Sequence, residues 1–301
     1  MDKSYHIPVL LNEVITHLNI KGDGIYVDCT FGGGGHSKAI LEKLGKRGRL
    51  VLFDQDEDAR ANVPDDSRVL FVPHNFRHLK RFLQLHGIKE VAGVLADLGV
   101  SSHQFDEGSR GFSTRFDAAL DMRMDQRQDR TAAQVLNTFS EAQLHKLFEQ
   151  YGEVTNAKTL ARTIVAARRL APLQTIDGFK TAVHDVVKGN PAKYFAQVFQ
   201  ALRIEVNDEL GALRELLEQL PQVLASGGRA AIITFHSLED RLVKQFFKRG
   251  TWEERIDNPF EMTTVVNPLI AITKKPIEAS QSEVVQNPRS RSAKLRVAEK
   301  V

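Results

Sequence analysis

Asp28-Cys-Thr-Phe-Gly-Gly-Gly-Gly-His-Ser37 overlaps a short β-branched and apolar run, Gly24-Ile-Tyr-Val-Asp-Cys-Thr30. A run of this kind that ends in glycines reads as a buried strand feeding a tight turn. Consecutive glycines let the backbone approach a ligand closely, and the helix start that follows favours negative groups. That helix is expected from His36 to Leu44, closed by Gly45. Further along, Arg49-Leu-Val-Leu-Phe-Asp54, Arg68 to Val72 and Val91-Ala-Gly-Val-Leu-Ala-Asp97 read as more buried strands. Helical patterns at Asp56 to Asn62 and Phe76 to His86 separate them, and the spacing of Leu10, Val14 and Leu18 predicts a helix over His6 to Asn19. Strands alternating with helices at this spacing mean βαβ units and a parallel sheet covered on both faces.

The rhythm breaks after Asp97. Ser101 to Arg130 is polar, rich in Gly, Asp and Arg, and without a strand-like run; from Ser140 the chain reads as purely helical. Leu144, Leu147, Phe148 and Tyr151 form one apolar stripe, and Phe195, Val198, Phe199 and Leu202 another. Thr175 and Asn190-Pro191 are plausible helix starts. The α/β pattern then resumes with a helix through Leu210, Leu213, Leu217 and Leu220, then Gly227-Gly228, a strand from Arg229 to Phe235 and a helix from Leu238 to Lys248. Leu269 to Thr273 and Lys294 to Ala298 can supply the last strands. The fold expected is an α/β doubly wound sheet (residues 1–104 and 206–301) carrying an inserted all-helical domain (residues 105–205).

Composition bounds the function. The chain has 301 residues, 42% of them hydrophobic and 26% charged, which suits a globular protein with a substantial core. A single cysteine, Cys29, excludes an internal disulfide and a multi-cysteine zinc site. No apolar run approaches the roughly 20 residues needed to span a bilayer. Met1 to Ser4 show no secretory signal pattern, so a cytoplasmic protein without membrane association is expected. The net charge of +3 says less than its distribution. Lys158, Arg162, Arg168 and Arg169 form one basic cluster, and Arg289, Arg291, Lys294, Arg296 and Lys300 another. Both read either as solvated surface or as phosphate-binding patches.

The glycine turn has a partner acid. Asp54 ends the second strand, nineteen residues after Gly35, where a carboxylate reaches the ribose hydroxyls of a bound nucleoside. The dinucleotide spacing G-x-G-x-x-G/A fails, because Gly32 and Gly34 are followed by Ser37, and Gly33 and Gly35 by Lys38. An acid at the strand end with glycines two apart, here Asp28, Gly32 and Gly34, suits S-adenosylmethionine, whose amino group pairs with a carboxylate. Cys29 reads as a small buried residue; it lies in this strand and not after the fourth, which argues against C5-pyrimidine chemistry and for direct transfer to N or O.

Six blocks carry a resemblance: Asp28 to Ser37, Ala96 to Ser102, Arg110 to Ser113, Asp121 to Asp125, Phe235 to Arg241 and Asn287 to Ser292, with His6 to Glu13 in addition. Together they resemble the MraW family of bacterial 16S rRNA cytosine-N4 methyltransferases, in order and over essentially the whole chain. The resemblance implies a class I, Rossmann-like methyltransferase acting on the exocyclic N4 of a decoding-centre (P-site) cytidine of 16S rRNA in the small ribosomal subunit. It implies donor contacts at Gly34, Gly35, His36, Asp54, Phe76, Asp97 and Gln104. Phe76 also reads as a helix-start core residue, His36 as a helix cap, and nothing local singles out Gln104. Related chains often carry a larger residue at Gly33.

Cytosine N4 is a poor nucleophile, and an acceptor for its hydrogen would localise the lone pair and take the proton. Asp97, at the carboxyl end of the fourth strand, is the candidate catalytic residue, with cofactor binding as its other use and backbone carbonyls near Leu98 as the alternative acceptors. Asp97-Leu-Gly-Val100 replaces the Pro-Pro-aromatic motif of DNA amino-methyltransferases. His236 and Ser237 are either a wall of the base pocket or a helix cap, with Ser237 accepting backbone N–H groups. The ten histidines show no paired ligand spacing, so no metal is expected. RNA contacts are expected at Arg162, Arg168, Arg169, Arg289 and Arg291, and Arg123 either orders a loop over the pocket or marks a hinge. The rival readings are an assembly factor without activity, a DNA amino-methyltransferase and a nicotinamide dehydrogenase.

Overall fold

A computed structural model describes residues 8–252 and 267–301. In chain order, α1 (Leu11–Leu18) is followed by β1 (Ile25–Asp28), α2 (Gly35–Lys43), β2 (Arg49–Phe53), β3 (Val69–Val72), α3 (Leu79–Leu85) and β4 (Val91–Asp97). Then come helices alone: α4 (Ser102–Asp106), α5 (Ala132–Thr138), α6 (Glu141–Gln150), α7 (Ala157–Ala167), α8 (Ile176–Ala182) and α9 (Pro191–Asn207). After α10 (Glu209–Val223) the chain returns to strands: β5 (Leu224–Thr234), α11 (Ser237–Arg249), β6 (Leu269–Ala271), β7 (Ile277–Glu278), α12 (Gln281–Gln286) and β8 (Lys294–Lys300). The part of the first helix expected from His6 lies outside the described residues; α1 starts at Leu11 behind Leu10 in a left-handed conformation, φ 53°. The chain divides into two compact units, Met1–Gly99 with Gly211–Val301, and Val100–Leu210.

In the α/β unit the strand order is β3-β2-β1-β4-β5-β8-β6, with β7 paired to β8. Strands β1 to β5 pair in parallel, and β8 runs antiparallel to its neighbours. Leu50 to Phe53, Val94 to Ala96 and Ala230 to Ile233 are buried without alternation, as strands covered on both faces must be. From β1 the chain builds outward to β3, then crosses back to lay β4 on the other side of β1. At such a reversal the connections leave in opposite directions and open a crevice outside the carboxyl ends of the strands. Asp28 ends β1 and Asp97 ends β4, so two acids stand at its rim.

Strand β5 starts earlier than Arg229: Val91 pairs with Leu224 and Gly93 with Arg229, so residues 225–228 loop out of the ladder with Gly227 at φ 71°. The carboxyl-terminal segment folds back as β8. There Arg296 is 6% exposed and holds Asp240 through Nε and Nη2 at 2.7 and 3.0 Å, and Lys300 Nζ donates to the Leu224 carbonyl. Both belong to the second basic cluster of the sequence, and the fold turns their charges inward instead of to phosphate or open solvent. No helix among the described residues is long and apolar enough to cross a membrane.

The helical unit has its own core, in which Leu144, Leu147 and Phe148 of α6 meet Leu160 and Ile164 of α7 and Val198, Phe199 and Leu202 of α9. Helix α5 lies between the polar stretch and the helices expected from Ser140, and Thr131 and Gln134 form a capping box at its start. The polar stretch before it is held by side chains. Asn207 donates to the Met122 carbonyl and accepts from Met124 N–H, both at 2.8 Å, while Met122 itself is fully buried. Arg110 donates to the carbonyls of Arg123 and Met124. Arg123 pairs with Asp121 and donates to the carbonyls of Gln126 and Gln128, so its charge is held inside its own loop.

Candidate active site

The turn after β1 is braced by Asp28, which is 2% exposed. Its Oδ1 accepts from Thr30 N–H at 3.0 Å and its Oδ2 from Ser37 Oγ–H at 2.6 Å, tying the strand end to the first turn of α2. Burial raises its carboxyl above the ordinary value, against the pull of these donors. Gly34 sits at φ 77°, where a Cβ would stand 2.8 Å from the Phe31 ring, and a Cβ on Gly35 would run into Pro8. The backbone could not take this course with side chains at either position. Gly33 faces open space instead. Gly32 N–H donates to Asp54 Oδ2 at 2.7 Å, and Asp56 N–H to Asp54 Oδ1 at 2.9 Å. Desolvation pushes the Asp54 carboxyl up to about 6, with those two N–H groups opposing it.

Asp97 stands across the switch point. Its N–H donates to Thr30 Oγ1 at 2.6 Å, which locks the end of β4 to the turn after β1. Its side chain is 25% exposed, yet Oδ1 is buried and has no hydrogen-bond partner among the described residues. Oδ2 lies 3.7 Å from His36 Nδ1. Desolvation pushes the carboxyl up to about 6; His36 pulls the other way, and Asp28 and Glu239 add to the rise. His36 is buried in the first turn of α2, with Nε2 at 2.9 Å from the Val9 carbonyl oxygen. A helix cap, its other sequence reading, is not its place: Gly34 takes that position.

The remaining candidates are distributed. Phe76 opens a short 3-10 turn after β3 behind the cap Asn75 and is half-buried, not a core residue. Gln104, in the helical unit, is 4% exposed: it pairs with Ser101 in a capping box at α4, a local signal that Ser101-x-x-Gln104 carried and the sequence reading missed. At α11 the cap position is held by His236, which makes no side-chain cap bond, and Ser237 is the first helical residue. The N-terminal carboxylate is Glu239, whose Oε2 accepts from Phe235 N–H at 2.9 Å. Oε1 stands 3.2 Å from His236 Nε2, and neither ring nitrogen of His236 has an aligned hydrogen-bond partner among the described residues. In the helical unit Arg162 and Arg169 are exposed, whereas Arg168 turns its Nη1 to the Leu136 carbonyl at 2.6 Å and is partly committed to structure. Arg291 is exposed beside half-buried Arg289.

Acids at three neighbouring strand ends (Asp28, Asp54 and Asp97) and an open face at Gly33 suit a cationic nucleoside better than a pyrophosphate, which would be repelled. Asp97 Oδ1 in addition lacks the partner that a buried carboxylate oxygen requires. This sheet and this site define a class I, Rossmann-like methyltransferase, with S-adenosylmethionine as its methyl donor.

The chain belongs to the MraW methylase family, which matches residues 3–301. It is 54% identical to the ribosomal RNA small subunit methyltransferase H of Azobacteroides pseudotrichonymphae, with 100% of both chains covered. The protein of the same name from Flavobacterium johnsoniae is 52% identical over 99% of this chain and 98% of its own. Among solved structures, an rRNA methylase from Streptococcus thermophilus aligns at TM-score 0.40 and 12% identity over 97% of this chain and 92% of its own, which adds nothing to what the strand order shows.

Proposed function

We propose that this chain methylates the exocyclic N4 of a decoding-centre (P-site) cytidine in 16S rRNA of the small ribosomal subunit. The relatives' names support an rRNA substrate in the small subunit. The observation that carries the amino-group target is the Asp97 carboxylate at the carboxyl end of β4, a quarter exposed and with one oxygen that has no hydrogen-bond partner among the described residues. Cys29 supports the same choice from the other side: it is 2% exposed and burial pushes its thiol well up, so it offers no nucleophile for addition to a pyrimidine ring.

Bound S-adenosylmethionine would supply an electrophilic methyl, whose bond to the sulfonium sulfur breaks, leaving its electron pair on sulfur, as the acceptor takes the methyl. The chain's own part is to place the nitrogen and receive its proton. The Asp97 carboxylate, whose side chain is a quarter exposed, accepts one N4–H, which localises the nitrogen lone pair; as the new C–N bond forms, that N–H bond breaks and the proton passes to the carboxylate. Gly34, Gly35 and Asp54 would hold the nucleoside part of the donor, and Phe76 would lie beside it. The base must first leave its stack. Arg162 and Arg169 on the helical unit and Arg291 in the tail are proposed to bind the RNA backbone, with Arg168 and Arg289 contributing less freely.

The test is transfer of labelled methyl to small subunits lacking the modification, with the product nucleoside identified. N4-methylcytidine is the expected product. Label in another nucleoside, or on intact RNA outside the small subunit alone, would refute the target.

A further inference from the structure

We propose that Phe116 and Arg115, on the helical unit, form a stacking platform for one unpaired base of the substrate RNA. The proposal rests on the rRNA substrate given above.

Phe116 is 43% exposed, and no other phenylalanine, tyrosine or tryptophan among the described residues is exposed. An aromatic ring held in water gives up a large gain from burial. The core of the helical unit takes in Phe112 and packs against Phe105, yet leaves Phe116 outside. The ring has a fixed seat. It lies on the backbone of Gly108, where a Cβ would stand 3.1 Å from Phe116 Cγ and 3.2 Å from Phe116 Cβ. The guanidinium carbon of Arg115 lies 5.0 Å from the Phe105 ring centroid and 5.5 Å from that of Phe116. Arg115 Nη2 donates to Asp106 Oδ1 at 2.8 Å and Nε donates to Ser113 Oγ at 3.1 Å, which sets the plane of the guanidinium. Both flanks are anchored. Phe112 and Ser113 are buried on one side; on the other, Ile176 N–H donates to the Ala118 carbonyl at 2.9 Å and Asp177 N–H to Asp117 Oδ1 at 3.0 Å.

An exposed aromatic face beside a guanidinium of fixed plane is the chemistry that holds a splayed-out RNA base, because every base has a π face to offer. Charge narrows the occupant. From Phe105 to Asp117, Arg110 and Arg115 are set against Asp106, Glu107 and Asp117, and the Arg115 charge is paired with Asp106. Arg110 is buried and donates to the carbonyls of Arg123 and Met124. A segment without surplus positive charge gives phosphate little to bind, whereas a neutral base stacks without a counter-charge. Phe116 also has no second exposed large apolar residue in this segment, far less than the area a protein partner requires.

The experiment is methyl transfer to small subunits lacking the modification, at low and high salt, for the unaltered protein, F116A, F116L, F116W and R115K. The KM for subunits and the affinity for S-adenosylmethionine are measured for each. The expected KM rises about five- to thirtyfold in F116A. It rises nearly as much in F116L, which keeps an apolar side chain without a π face, and returns to within about twofold of the original in F116W. R115K keeps the charge and loses the plane, and should raise KM about two- to fivefold. Donor affinity stays at its original value throughout, and the salt dependence of KM keeps its slope, because a base and not a phosphate is held. F116L with the original KM would overturn the proposal and assign the residue to apolar packing against a ribosomal protein. Donor affinity lost together with KM would mark a structural residue and overturn it as well. An unmoved KM in F116A, with subunits still methylated, would overturn it and leave the rRNA reading standing. No transfer to small subunits by the unaltered protein would overturn both.

Discussion

Asn207 in the helical unit and Asp97 at the end of β4 are both polar side chains with atoms removed from water, and their surroundings differ. Asn207 reaches back to the Met122 carbonyl and Met124 N–H, so the amide is satisfied by backbone. Asn156, in the same unit, donates to the Val186 carbonyl and accepts from the Tyr194 hydroxyl. Asp97 Oδ1, at the end of β4, lacks a hydrogen-bond partner among the described residues. Folded proteins seldom leave such atoms unpaired, because each forfeits its bond to water. In the helical unit buried polarity holds the chain together. In the α/β unit Asp28 and Arg296 do the same, but the Asp97 oxygen at the end of β4 is left without a partner among the described residues, at a cost in stability.

Opposite responses to substitution would sharpen that contrast. Asn207→Ala removes bonds to buried backbone groups and should lower stability by about 2–4 kcal/mol in denaturant titration. Asp97→Asn should raise stability by about 1–2 kcal/mol at pH 7. The sign comes from linkage: the folded carboxyl stands near 6, above its ordinary value of 3.8, so the folded state binds a proton that the unfolded chain has released. Stability therefore falls as pH rises through that window and stays reduced above it. A D97N protein less stable than the unaltered one at pH 7, or an unaltered protein without that fall in stability, would break the comparison.

The remaining tests concern smaller effects. Replacing Arg162 and Arg169 together by alanine should raise the KM for small subunits about three- to tenfold, more at low salt, with the single-turnover rate kept. A fall in rate with unchanged KM would count against their role as backbone contacts. Gly33→Ala should alter stability by less than about 0.5 kcal/mol, because its Cβ enters open space; a large loss of donor binding would show that this space belongs to the ligand.

What could be read from the chain follows how local its signals are. The buried runs at β1, β2 and β4 and the glycine turn between Asp28 and His36 announce themselves within a few residues, and the structure has them with boundaries moved by one or two positions. Capping boxes at Ser101, Thr131 and Ser140 are equally local: they mark the starts of α4, α5 and α6 and account for the burial of Gln104. Other features depend on partners far along the chain. Asn207 meets Met122 across 85 positions, and Arg296 meets Asp240 across 56, so no window of sequence distinguishes them from exposed polar residues. The same holds for Asp97 and His36: their positions marked them as candidates, but the 3.7 Å contact and the unpartnered Oδ1 are products of the sheet.

The most direct test of the account is the single-turnover rate of D97N on small subunits, measured beside its affinity for S-adenosylmethionine. A rate lower by about 10²- to 10⁴-fold, with donor affinity within a few-fold of the original, is the predicted result. An unaltered rate, or a loss explained wholly by failure to bind the donor, would contradict the assignment of Asp97 as the group that receives the proton.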